Sequence, residues 1–168
     1  MSDFPEPFPP PPDDPAFASC IPKTDKSDPS FYSSMANYMD KKIDAVIAKV
    51  KSLGIENKTI IFYIGDNGSP AEIHSMFNGN IINGGKSTTT EYGTHVPLIA
   101  YWSWYISAGT VNNDLVDFTD FIPTLADIAG IPKPKTYGTL DGVSFSARLT
   151  GGAGTPRDWI FLHYQQGF

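Results

Sequence analysis

The chain has 168 residues, 12 basic and 18 acidic, for a net charge of −6, with 40% hydrophobic and 13% aromatic residues. That length fits one domain able to bury roughly 70% of its unfolded surface, and the composition excludes a disordered chain. Nothing supplies the clustered lysine and arginine that a phosphate backbone needs, which excludes nucleic acid as a partner, and the apolar runs at residues 60–64 and 96–102 fall far short of the roughly 20 residues of a membrane span. The first residues carry acids and prolines where a secretory signal has a basic start and an apolar stretch. The sequence therefore reads either as not exported or as beginning inside a longer chain. A single cysteine, Cys20, permits no internal disulfide and leaves the redox compartment open.

Nine of the fifteen prolines fall in residues 1–30, including Pro9-Pro10-Pro11-Pro12. This stretch has neither helical nor strand periodicity and reads as an extended arm of polyproline II type. Because no basic residue flanks the prolines, a strap or linker fits better than a Pro-rich recognition ligand. Residues 31–168 read as the folded part. After Asp28-Pro29, Phe31, Met35, Tyr38, Met39, Ile43, Val46, Ile47, Val50 and Leu53 recur at three- and four-residue steps, which predicts an amphipathic helix. Asp28 serves as its N-cap, Pro29 as its first position and Gly54 as its left-handed stop. Lys41, Lys42, Lys49 and Lys51 read as a solvated face.

Residues 59–64 form an unbroken β-branched and aromatic run, as do residues 97–102, and residues 159–162 offer a third such run. Strands without polar alternation are those covered on both faces, as in parallel sheets. Between the second and third, Phe118, Phe121, Ile122, Leu125, Ile128 and Ala129 have helical spacing, with Thr119 as the cap and Gly130 as the stop. The expected fold class is α/β, with a mainly parallel sheet flanked by helices. There is no internal repeat.

Ligands of open α/β sheets gather at the carboxyl edge of the strands, which is where Asp66-Asn67-Gly68 falls. A carboxylate beside an amide oxygen offers hard donors suited to calcium or magnesium. The same tripeptide is also ordinary turn chemistry, and by itself it leaves both readings open. Gly84-Gly85-Lys86-Ser87-Thr88-Thr89-Thr90-Glu91 then sets a lysine on a glycine pair among hydroxyls and could hold an oxyanion. It is not a phosphate-binding loop of the G-x-x-x-x-G-K-[ST] kind, because position 80 is Asn80.

Taken in order with Thr94-His95-Val96-Pro97-Leu98-Ile99, these motifs resemble the sulfatase family of the arylsulfatase A-like kind, within the alkaline-phosphatase superfamily. Its members carry Asp-Asn-Gly after a helix and a buried strand, then a Gly-Gly-Lys-Gly-x-Thr-x-Glu-Gly-Gly-like stretch that runs into Arg-Val-Pro-x-Ile. Further on, Pro123-Thr124-Leu125 with Ala129-Gly130 looks like the family's Pro-Thr-Leu-x-x-x-Ala-Gly helix, and Asp141-Gly142-Val143-Ser144-Phe145 like its Asp-Gly-x-Ser-Leu turn. The resemblance covers about residues 3–165. It implies an alkaline-phosphatase/sulfatase-like fold, here incomplete, and hydrolysis of sulfate esters, aryl or carbohydrate. It further implies that Asp66 and Asn67 are two of four ligands of a divalent cation, commonly calcium, with magnesium possible, and that Lys86 is the lysine contacting the sulfate. A periplasmic or secreted parent protein is also implied.

Departures from the pattern are equally informative. The family's nucleophile is a formylglycine made in a Cys-x-Pro-x-Arg motif far ahead of Asp-Asn-Gly, and its other metal ligands are an Asp-Asp pair near the N-terminus. Cys20-Ile21-Pro22-Lys23 mimics the first but ends in Lys and sits in the arm, so Cys20 reads as an incidental loop cysteine. Asp13-Asp14 reads as a pair of solvated acids. Pro5 stands where the family's Thr-His-x-Pro-Phe has its histidine, and His74, His95 and His163 read as structural or exposed. The expectation is the C-terminal portion of a sulfatase catalytic domain, inactive alone, with the formylglycine and the missing N-terminal half as its necessary partners. A non-catalytic sulfatase-like module binding sulfated glycans or a partner protein is the alternative.

Overall fold

The computed structural model describes residues 8–19, 28–132 and 138–163, and divides into two compact units. Cys20 and Pro5 lie outside the described residues.

Residues 1–56 and 65–96 form one unit. Within the arm, Phe8, Pro10 and Pro11 are buried, and Pro15–Ser19 coil into a 3₁₀ turn inside the stretch expected to be an extended arm. Asp13 pairs with Lys41, and the Lys41 hydrogen bond is the main cause holding the Asp13 carboxyl below its ordinary range. The long helix α1 (Tyr32–Ser52) begins three residues after Pro29, the first helical position expected from the sequence. Asp28 accepts from Ser30 N, Pro29 opens a 3₁₀ turn leading in, and Gly54 ends it at φ 65°. Its lysines do more than solvate a face: besides the Lys41 pair, Lys42 lies 4.5 Å over the Tyr38 ring.

An antiparallel hairpin, β2 (His74–Phe77) and β3 (Asn80–Asn83), was not expected from the hydrophobic pattern. Its signal is Asn78-Gly79, a two-residue turn with φ of 49° and 79°, the tight left-handed turn that matches strand twist. A single helical turn, α2 (Glu91–Thr94), completes this unit.

Residues 57–64 and 97–168 form the second unit. Strands β1 (Ile61–Ile64) and β4 (Leu98–Tyr101) pair antiparallel, from Ile61 opposite Tyr101 to Ile64 opposite Leu98, which corrects the parallel pairing expected of these two runs. An unbroken apolar run reports shielding of a strand and carries no information on direction. The run 159–162 forms no strand. Only Arg157 makes an isolated bridge, to Leu115, while Trp159 and Phe161 are exposed and find no ladder.

The core of this unit is a trio of rings. Phe62 meets Phe121 and Phe145 edge to face at 5.4 and 6.3 Å, and Phe121 meets Phe145 at 5.5 Å. Phe121 opens helix α3 (Phe121–Ala129), which Gly130 stops at φ 64°. The cap of the preceding 3₁₀ turn is Asp117, not Thr119. Asp117 accepts from Thr119 N while Asp120 accepts from Asp117 N, a reciprocal box that a hydroxyl inside the turn cannot make. Fully buried Thr124 accepts from Phe145 N at 3.0 Å, which ties α3 to the Asp141-Gly142 turn just before helix α4 (Ser146–Leu149).

Candidate functional site

Asp66, Asn67 and Lys86 all belong to the first unit, on two loops that backbone hydrogen bonds lace together. Asp66 and Asn67 follow β1 in the chain, Asp66 exposed and Asn67 half-buried. Two residues on, the Ser69 carbonyl accepts from both Gly85 N and Lys86 N, each at 2.9 Å, and Gly68 N donates to Gly93 O at 2.8 Å. The Asp-Asn-Gly turn and the Gly-Gly-Lys turn are therefore one structure, although 20 residues separate Asp66 from Lys86.

Glycine is required at this junction by closeness of backbones. A Cβ at Gly68 would lie 1.8 Å from Tyr92 O, one at Gly84 1.7 Å from Pro70 O, and one at Gly93 2.3 Å from Thr88 O. No side chain fits where carbonyls come so near. Hydroxyls in the loop serve its shape. Thr88 Oγ1 donates to Gly85 O at 2.7 Å and lies 2.7 Å from Thr90 Oγ1, so these two groups hold the turn and are not turned toward an anion. Ser87 adopts φ 69°, a left-handed conformation that reverses the chain just after Lys86.

Lys86 is half-buried, and among the described residues no carboxylate pairs with its ammonium. An ammonium with no carboxylate partner among the described residues, carried on a glycine loop, suits an oxyanion. The side chains of Asp66 and Asn67 likewise have no hydrogen-bond partner among the described residues, and their oxygens are chemically suited to a hard cation. Two donors are only part of a shell. Among the described residues, no cluster of three or more His, Cys, Asp or Glu side chains is arranged to hold a metal. Asp13 is engaged by Lys41, and Asp14 accepts from Ala16 N. His95 pairs with Glu91, His74 Nδ1 lies 2.8 Å from Asn83 Oδ1, and His163 is exposed.

A family model described as Sulfatase matches residues 4–131. Among curated relatives, arylsulfatase A of Bos taurus is 35% identical over 127 residues, covering 74% of this chain and 24% of the relative. Steryl-sulfatase of Homo sapiens is 30% identical over 146 residues, covering 83% of this chain and 25% of the relative. The chain thus spans about a quarter of the length of the curated relatives it matches. Of solved structures, the PsFucS1 sulfatase from Pseudoalteromonas sp. is similar with a TM-score of 0.60 and 30% identity, over 83% of this chain and 26% of that one. That likeness gives an α/β fold of the alkaline-phosphatase kind. Since the family match runs through both glycine loops and through well over half of the residues, this chain belongs to the sulfatase family.

Proposed function

We propose that this chain is the C-terminal part of the catalytic domain of a sulfuric ester hydrolase acting on aryl or carbohydrate sulfates. The observation that supports it best is the shared Ser69 carbonyl, which accepts from Gly85 N and Lys86 N and so ties the lysine loop to the turn that follows Asp66-Asn67. In this reading residues 1–30 are a proline-rich arm and residues 31–168 the C-terminal part of the catalytic domain. The remaining metal ligands, the formylglycine and the parallel strands come from an N-terminal part of the same domain.

Asp66 and Asn67 would hold a divalent cation through Oδ atoms, calcium in preference to magnesium because two oxygens on a turn suit a large shell completed by other ligands. When bound, the cation neutralises sulfate oxygens. Lys86 binds a sulfate oxygen and stabilises the charge that grows on the bridging oxygen as the S–O bond lengthens. Its half-buried position limits water around the ammonium, which strengthens that interaction. No helix among the described residues is long and apolar enough to cross a membrane, and a periplasmic or secreted parent fits the family.

The test is turnover of 4-nitrophenyl sulfate. The chain alone should release no nitrophenol at any pH, and the complete domain containing it should turn over. Turnover by the isolated chain that disappears in Cys20→Ala would overturn the assignment of the nucleophile to another segment. A complete domain that binds sulfated glycans without hydrolysing them would instead establish the non-catalytic module.

A further inference from the structure

Tyr32 and Ser69 are 37 residues apart in sequence, yet their hydroxyl oxygens lie 2.8 Å from each other. Ser69 is the residue whose carbonyl receives Gly85 N and Lys86 N. Its side chain and its backbone oxygen are thus both engaged, one toward α1 and one toward the lysine loop. Tyr32 in turn meets Phe8 of the proline-rich arm, which is 1% exposed, edge to face at 5.8 Å and 90°. A ring so placed has little freedom to swing its hydroxyl away from Ser69.

We propose that Tyr32 is a positioning residue for Lys86, acting through Ser69, with Phe8 of the arm fixing the Tyr32 ring. The inference rests on the reading of Lys86 as the sulfate-binding lysine. Its physical basis is geometric. Rotation of the Ser69 peptide plane would break two hydrogen bonds at once, those that set where the Lys86 backbone starts, and the Tyr32 hydroxyl opposes that rotation from the side chain. Gly84 and Gly85 have no Cβ to brace the loop, so its position depends on these bonds.

The experiment titrates the full 168-residue chain with inorganic sulfate at constant ionic strength, following the amide resonances of Gly85 and Lys86 by ¹H–¹⁵N NMR. Tyr32→Phe removes one oxygen and should weaken sulfate binding roughly 2- to 10-fold, the effect of one net hydrogen bond. Ser69→Ala should match it, Ser69→Thr should restore binding because the hydroxyl remains, and the double variant Tyr32→Phe/Ser69→Ala should be no weaker than either single one. A role confined to stability would move the melting temperature without this rescue and non-additivity. If Lys86→Ala loses sulfate binding while Tyr32→Phe and Ser69→Ala bind like the wild type, the positioning role is wrong and the Lys86 reading stands. If Lys86→Ala also binds like the wild type, the sulfate reading itself fails.

Discussion

Arg157 closes on Asp120 with two nitrogens, Nε donating to Oδ2 at 3.0 Å and Nη2 to Oδ1. Asp120 is 2% exposed and also accepts from Asp117 N at 2.8 Å and Val143 N at 2.7 Å. One carboxylate therefore joins the start of α3, the Asp141-Gly142 turn and the segment after α4. The hydrogen bond to Asp120 is the largest cause raising the Arg157 pKa above its ordinary value, against the opposing effect of burial.

Removing either partner leaves a charge in a place shaped for the pair. Asp120→Ala should cost about 3 to 5 kcal/mol in unfolding free energy, because Arg157 and two backbone N–H groups lose their acceptor together. Urea unfolding of the chain measures it. A loss of under about 1 kcal/mol would mean that the pair behaves as an exposed one.

Asp117 makes a pH-dependent contribution of known sign. Burial is the largest influence on it and pushes its pKa up, but the hydroxyl and backbone N–H of Thr119, with Arg157 nearby, outweigh that and hold the carboxyl below its ordinary value. A depressed folded-state pKa stabilises the fold at all pH values above the unfolded value of about 3.9, and that stabilisation fades as pH falls through the lower folded value. The stability gap between wild type and Asp117→Asn should be constant from about pH 5 to 8 and shrink below about pH 4. A gap unchanged down to about pH 2 would contradict the part assigned to Thr119 and Arg157.

Gly68 tests the junction of the two loops. With Tyr92 O only 1.8 Å from its would-be Cβ, Gly68→Ala must push apart the backbones that Gly68 N and Gly93 O join. A loss of about 1 to 3 kcal/mol is expected, with broadening of the Gly85 and Lys86 amide resonances. Gly54→Ala is the control: its φ of 65° carries strain, yet nothing lies within 4 Å, so it should cost only about 1 kcal/mol and leave the loop resonances unchanged.

Helices α1 and α3 were legible because their signals are local. Asp28, Pro29 and Gly54 mark α1, and Gly130 marks the end of α3, each through its own backbone requirement. Strand direction was not legible: β1 and β4 are equally apolar whichever way they run, and the residues 65–96 between them returned the chain antiparallel. The β2–β3 hairpin leaves no buried face to imprint an apolar alternation, since all eight of its strand residues are exposed. At the site, residue types pointed to the glycine loop, but not to Tyr32 or Ser69. Ser69 acts through its main-chain carbonyl, which every residue has, and Tyr32 lies off the apolar stripe of α1, at a helix position whose spacing carries no signal.

Lys86 carries the sharpest functional prediction. A sulfate monoester has one negative charge in the ground state and gains more on the bridging oxygen as the S–O bond breaks. An ammonium held at that oxygen therefore favours the transition state over the bound substrate. In the complete domain, Lys86→Ala should lower kcat as well as raise KM, by about 10²- to 10³-fold in kcat, or roughly 3 to 4 kcal/mol. The fold should hardly notice, since no carboxylate among the described residues pairs with this lysine and its loop is fixed by the main chain, so the stability change should stay within about 0.5 kcal/mol. Steady-state kinetics on an aryl sulfate, together with urea unfolding of the same variant, separate the two effects. Unchanged kcat and KM would mean that Lys86 only solvates its loop, whereas lost activity accompanied by unfolding would assign it to the fold.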